Sequence, residues 1–496
     1  MPDSNSDLTV RLPASVEVVP GGPVEGVIRP PGSKSLTNRA LICAAFATGR
    51  STLTGALQSE DTKVMIDALR SIGIRIDVSD GGKKLVVDGQ SLSRECSSGV
   101  SAESDMQELY VANSGTTVRF LAAALTAVGG QYRLCGVQRM HQRPIGDLVD
   151  ALKVVVDGSI EAVSPEGCPP VDIRCSGWKG ANLDVGGSVS SQYLSGLMMA
   201  APLAKLNSKE NGSRVQRSGS DANSGSDAQP SRQQLTQVSV HGELVSRPYV
   251  DMTANVMRSF GARVSLVDKD LQDGQSLVVA VERSGYLATS YEIEPDASAA
   301  SYFWATAAIT GGSVTVDGLN RDAMQGDVGF CEVLAKMGCH VEYAKHSIRV
   351  TGRPLHGVDI DMNQISDTVQ TLAVVALFAE GPTRVRGVAH NRFKETDRIG
   401  DLARELRKLG SQVDEHEDGL TIHPIEFKAQ ARTERFVVLE TYHDHRMAMS
   451  LALAGLRVPG VRILDPACTG KTYPEFFADL EMLLGRPHHW RSNEEG

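Results

Sequence analysis

One pattern recurs six times along the 496-residue chain and limits what it can fold into. A short β-branched strand ending in Gly or Asp runs into a polar loop and an amphipathic helix, often followed by Gly and another strand. The first copy reads "TLTGALQSEDTKVMIDALRSIGIRIDV" and the last "RILDPACTGKTYPEFFADLEMLLG". Each unit is preceded by a second helix that is apolar nearly all round, which predicts burial. These helices are "TNRALICAAFATG", "TVRFLAAALTAVGG", "SSQYLSGLMMAAPLA", "ASAASYFWATAAITGG", "DTVQTLAVVALFAEG" and "HDHRMAMSLALAGL". Their N-terminal ends are polar, at 33–35, 113–116, 188–192, 296–298, 366–367 and 443–445. All six clusters read as helix caps. Helix N-termini favour anions, so ends brought together would concentrate positive potential.

Six units divide naturally into two domains of three. The sixth unit ends at the C-terminus, while the strand-like "VEVVP" stands alone near the start. The expected plan is therefore an N-terminal segment, 1–32, completing the C-terminal half, a first domain over 33–293 and a second over 294–496. Residues 205–237, rich in Ser, Gly, Asn and Gln, read as a flexible, dispensable surface insertion. Lys and Arg number 50 against 60 Asp and Glu, a net charge of −10 that argues against general nucleic-acid binding. The cations that matter must then be focused locally. No apolar run approaches a membrane span, and "MPDSNSDLTVRLPAS" lacks a signal core, so a cytoplasmic protein is expected. Eight scattered cysteines show no metal-binding spacing and read as reduced thiols.

Cations cluster at the ends of at least four units. "GSKSLTNR" carries Lys34, Ser35 and Arg39; "NSGTTVR" carries Gly115 and Arg119; "RMHQRPIG" carries Arg139 and Arg143. "KETDR" carries Lys394, Glu395, Asp397 and Arg398, "HDHR" carries His445 and Arg446, and "CTGKT" carries Lys471. Taken singly, "KETDR" reads as readily as a charged helix start, and "HDHR" as a solvated cap. "GKT" is not a phosphate loop, because the required first Gly falls at Asp465. The ensemble is what points to a polyanionic ligand.

That ensemble resembles the 5-enolpyruvylshikimate-3-phosphate synthase family. The motifs are "PGSKSLTNRA", "NSGTTVR", "RMHQRPIGDLVDAL", "GSVSSQYL", "DASAASYF", "RFKETDR", "YHDHRMAM" and "CTGKTYP", in order over nearly the whole chain. The resemblance implies a two-domain α/β enolpyruvyl transferase fold (an inside-out α/β barrel) with six βαβαββ repeats, three per domain, closing on substrates. It implies a monomer of the shikimate pathway to aromatic amino acids that acts on shikimate 3-phosphate and phosphoenolpyruvate without metal or cofactor. It assigns Lys34, Ser35, Arg39, Ser190, Ser191, Gln192, Ser246, Asp367, His390 and Lys394 to shikimate 3-phosphate. Lys34, Gly115, Arg143, Gln192, Arg398, Arg446 and Lys471 fall to phosphoenolpyruvate. Asp367 is the implied proton acceptor and Glu395 the proton donor, with Lys34 central to catalysis. It also suggests a glyphosate target, with Gly115 leaving room for that inhibitor. Two positions depart from the family: His390 stands where Asn is common, and Phe120 where Pro is. The sister transferase acting on UDP-N-acetylglucosamine normally carries a reactive Cys in the loop before the "RPI" arginine. Here 137–142 holds none, and Cys135 lies on the preceding strand.

Overall fold

The computed structural model describes residues 14–89, 106–186, 190–204, 235–242, 244, 246–271, 274–426 and 436–492. It divides into two units. One is Gly32–Ile293; the other joins Met1–Pro31 to Glu294–Gly496.

Each unit is built from three sheets with two helices apiece; among the described residues each sheet has four strands except the first of Gly32–Ile293, which has five because Tyr286–Leu287 and Ser290–Glu292 both pair with Ala47–Thr54. In Gly32–Ile293 the middle sheet runs Gln107–Tyr110, Gly130–Cys135, Val171–Trp178, Val156–Ala162. The first pair is parallel and the rest antiparallel. With the helices Gly115–Val128 and Gly146–Val155 this is a βαβαββ unit. The third sheet, Asn182–Gly186, Leu235–His241, Gly274–Glu282, Val264–Leu271, repeats the order. The first sheet obtains its leading strand from the far end of the unit. Ser290–Glu292 pairs in parallel with Ala47–Thr54.

The other unit repeats the plan, with two strands borrowed from the N-terminal segment. Glu25–Ile28 pairs in parallel with Ser313–Asp317 and leads its first repeat. Ser15–Glu17 lies between Val461–Leu464 and His489–Arg491 and closes its last. Gly312 permits the first pairing, since a Cβ there would sit 2.0 Å from the Val24 carbonyl oxygen.

The nearly all-apolar helices are the buried ones. In Ala297–Thr310, every residue but Thr310 is buried, and Trp304 donates its indole N–H to the Ile348 carbonyl at 3.3 Å. Small Ala and Ser residues let neighbours approach closely, so one helix can be enclosed on all sides. Five of the six expected caps form, through Ser33, Ser114, Ser190, Asp296 and Asp444. The sixth does not. Helix Val369–Ala376 has no side-chain cap: it continues from the 3₁₀ turn Asn363–Thr368, and the carboxylate of Asp367 within that turn pairs with Arg446 and Arg398. The expected insertion is also shorter at one end. Leu235–Gln237 belong to a strand, held on both sides by Asn182–Gly186 and Gly274–Glu282 through alternating buried residues. Residues 205–234 lie outside the described residues. Among the described residues no helix is long and apolar enough to cross a membrane.

Candidate active site

In Gly32–Ile293 the expected residues gather at helix N-termini. Ser33 caps Lys34–Ala45 by accepting from the Leu36 N–H, which leaves Lys34 and Ser35 half-buried on the first turn. Arg39, one turn deeper, is 2% exposed. Its Nε donates to Thr253 Oγ1 at 2.7 Å, its Nη1 to the Ser35 carbonyl at 2.9 Å and its Nη2 to Ser195 Oγ at 3.2 Å. The Phe120 and Tyr249 rings flank it at 5.3 and 5.9 Å. No carboxylate is among these partners, and burial pushes the guanidinium down to about 10. A buried cation held by neutral dipoles and ring faces is ready for an anion. Phe120 therefore covers the cation that the Ser35 turn presents.

The second group in this unit surrounds Gly115. Arg143 Nη1 donates to the backbone and side-chain oxygens of Asn113 at 3.0 and 3.2 Å. Arg119 donates to Gln192 Oε1 at 2.8 Å and to the carbonyls of Gly115 and Pro144, both at 3.2 Å. Arg119 thus fixes Gln192, a role that the motif alone did not assign. Ser190 accepts from the Gln192 N–H at 3.3 Å, next to Ser191. Ser246 precedes helix Arg247–Ser259 with φ at +57°, a strained conformation for a residue with a side chain. Cys135, on its strand, is pushed up to about 11 by burial and then by Glu108, which suits a protonated thiol.

The other unit assembles a connected ion network. Asp367 Oδ2 accepts from Arg446 Nη2 at 2.8 Å, and Oδ1 lies 3.4 Å from Arg398 Nη1. Glu395 lies between Arg398 Nη2, at 2.9 Å, and Lys471 Nζ, at 2.7 Å. Asp444, which the sequence marked only as part of a cap cluster, holds Arg398 in two-point contact at 2.7 and 3.2 Å. It also caps helix His445–Ala452 through the Arg446 N–H. Asp444 is fully buried and Arg398 nearly so. Burial opposes the Arg398 charge, but Asp444 and Glu395 outweigh it and raise its pKa. The "HDHR" spacing hid this role, because an Asp at a cap position reads as local.

His390 and Lys394 fall beside this network. Burial, then the Lys394 charge, pushes the His390 imidazole down to about 3, so it is neutral at physiological pH. The neighbouring Asn391 is fully buried and donates to the Ser366 carbonyl at 3.0 Å. That asparagine clamps the turn before Asp367, which leaves His390 as the side chain at the family's Asn position.

Asp327 is a buried carboxyl near the same network. Burial and the Asp367 charge push it up to about 7. Folding therefore takes up a proton there, and this contribution to stability is lost as pH rises from about 4 towards 7. Asp327→Asn is expected to melt above the wild type at pH 8 by calorimetry, with the difference shrinking towards pH 4. A higher-melting wild type at pH 8 would contradict the assignment.

Comparisons with known proteins agree with this geometry. The family model described as EPSP synthase (3-phosphoshikimate 1-carboxyvinyltransferase) matches residues 18–216 and 230–480. The gap, 217–229, falls inside the Ser-rich segment. A 3-phosphoshikimate 1-carboxyvinyltransferase from Aliivibrio salmonicida is 39% identical over 95% of this chain and 99% of its own. One from Colwellia psychrerythraea is 40% identical over 94% and 98%. The solved EPSP synthase from Acinetobacter baumannii matches with a TM-score of 0.72 at 25% identity, covering 96% of this chain and all of that one. With that coverage, and with the family's motifs standing at the helix ends just described, the chain belongs to the EPSP synthase family.

Proposed function

We infer that this chain transfers the enolpyruvyl group of phosphoenolpyruvate to the 5-hydroxyl of shikimate 3-phosphate, releasing phosphate, as a step towards chorismate and the aromatic amino acids. The observation that carries the reading is the carboxylate–cation network of Asp367, Glu395, Arg398, Arg446 and Lys471. Addition needs a base at the hydroxyl oxygen and an acid at the methylene carbon. Asp367 takes the hydroxyl proton as the oxygen bonds to C2, and Glu395 gives a proton to C3. Loss of phosphate from the tetrahedral intermediate then returns the C3 proton to Glu395. The incoming anionic substrate offsets the two cations that hold Glu395.

The remaining assignments are carried over from the family's motifs. Ser35, Arg39, Ser190, Ser191, Gln192, Ser246, His390 and Lys394 hold shikimate 3-phosphate, with Arg39 as the buried counter-charge. Lys34, Gly115, Arg143, Gln192, Arg398, Arg446 and Lys471 serve phosphoenolpyruvate. The chain acts as a monomer in the cytoplasm. A coupled phosphate-release assay with phosphoenolpyruvate tests the transfer. Release with shikimate 3-phosphate and none with UDP-N-acetylglucosamine is expected; the reverse would sink the reading.

Gly115 gives a sharper test of the phosphoenolpyruvate assignment. A methyl group there would lie 2.5 Å from both Arg119 Nη1 and Arg143 Nη2. Gly115→Ala must displace both guanidiniums, since neither contact is a tolerable approach. Losing roughly one charge-assisted hydrogen bond, about 1.5–3 kcal/mol, should raise the phosphoenolpyruvate KM by about tenfold or more. The KM for shikimate 3-phosphate should move far less. Equal effects on both would count against the assignment.

A further inference from the structure

Asp327 lies in the helical turn Gly326–Gly329, outside every motif that carried the functional reading. It is 5% exposed. Ser298, in the first turn of helix Ala297–Thr310, donates its hydroxyl to Asp327 Oδ2. Arg446 Nη2 reaches Ser298 Oγ at 3.5 Å and Asp367 Oδ2 at 2.8 Å. One serine hydroxyl therefore stands between a buried carboxyl and the guanidinium that pairs with the catalytic Asp367. Two acids bear on one arginine, the first directly and the second through that hydroxyl. The charged groups facing Asp327 come from three other segments. They are Asp367 on Asn363–Thr368, Arg446 on His445–Ala452, and Asp296 at the cap of Ala297–Thr310.

We propose that Asp327 is a positioning residue for phosphoenolpyruvate, acting through Ser298 to set how much of the Arg446 charge remains for the substrate anion. The proposal rests on the reading of Arg446 as a phosphoenolpyruvate contact. With Asp327 protonated, Asp367 supplies the negative charge of this pair of acids to Arg446. With Asp327 ionised, a second negative charge enters a buried cluster where charges are poorly screened. It draws on the same guanidinium, and the substrate meets a weaker positive potential. Burial and Asp367 push this carboxyl up to about 7. Asn at 327 keeps the shape and an acceptor for Ser298, and removes the titration.

The test measures KM for each substrate between pH 6 and 9 in the wild type, Asp327→Asn and Ser298→Ala, with Arg446→Lys as the reference. Dividing the wild-type phosphoenolpyruvate KM by that of Asp327→Asn at each pH cancels the titration of the substrate itself. That ratio is expected to rise about fivefold to tenfold from pH 6 to 8.5, while the corresponding ratio for shikimate 3-phosphate stays flat. In Ser298→Ala, the same rise should fall to less than half. A merely structural role would not make one substrate's KM depend on pH. A flat phosphoenolpyruvate ratio overturns the proposal, even when Arg446→Lys raises that KM as expected. If Arg446→Lys leaves the phosphoenolpyruvate KM unchanged, the underlying reading of Arg446 fails and takes the proposal with it. Should Asp327→Asn not fold, the wild-type phosphoenolpyruvate KM divided by that of Ser298→Ala decides: it is expected to rise from pH 6 to 8.5, and a flat ratio overturns the idea.

Discussion

Asp367→Asn should lower kcat by about 10²–10⁴-fold, the range a positioned general base contributes. Asn fits the same space but cannot accept the hydroxyl proton. The substitution also removes the carboxylate that pairs with Arg446 at 2.8 Å and lies 3.4 Å from Arg398. Those cations become more available to an anionic substrate, so the phosphoenolpyruvate KM should not rise. A loss confined to kcat distinguishes a missing base from a disordered site. Steady-state kinetics over both substrates checks it. A kcat within tenfold of the wild type, or a loss carried mainly by KM, would remove Asp367 from the role of base.

Asp444→Asn should give the largest loss of stability. Asp444 and Arg398 form a two-point ion pair in which the carboxylate is fully buried. Removing one partner of such a pair typically costs about 3–5 kcal/mol, because the other charge is left buried. In a unit of this size that lowers the melting temperature on the order of 10 °C. Asn can still accept from the Arg446 N–H, so the loss does not come from the helix cap. Arg398 keeps Glu395 at 2.9 Å, and turnover should fall as well, since the guanidinium then leans on the proposed proton donor. Scanning calorimetry with a turnover assay measures both. A melting temperature within about 2 °C of the wild type would mean that Arg398 finds other support.

Those two residues mark the limit of what the chain reveals unaided. Asp367 drew notice in the sequence through its polar place ahead of an apolar run, and its proposed role came from the family resemblance. Asp444 reads as an ordinary cap, and its second role appears only when Arg398, 46 positions earlier, folds against it. His390 shows the same limit from the other side. Its motif position was readable, but the neutrality of its imidazole comes from burial and from Lys394.

The sequence by itself determined the repeat count, the alternation of buried and amphipathic helices, five of the six caps and the clustering of cations at helix ends. All of these rest on local signals: side-chain periodicity, cap residues and short motifs. Tertiary structure decided the rest. It placed Ser15–Glu17 and Glu25–Ile28 in sheets whose other strands lie hundreds of residues away. It turned Leu235–Gln237 from the end of a polar stretch into a strand, and took Asp367 from its expected cap to Arg446, 79 positions on. It brought Ser298 to Arg446 across 148 positions, with Asp327 behind it. Such pairings depend on which buried charges and open strand edges meet once the chain has collapsed, and no window of sequence contains both partners.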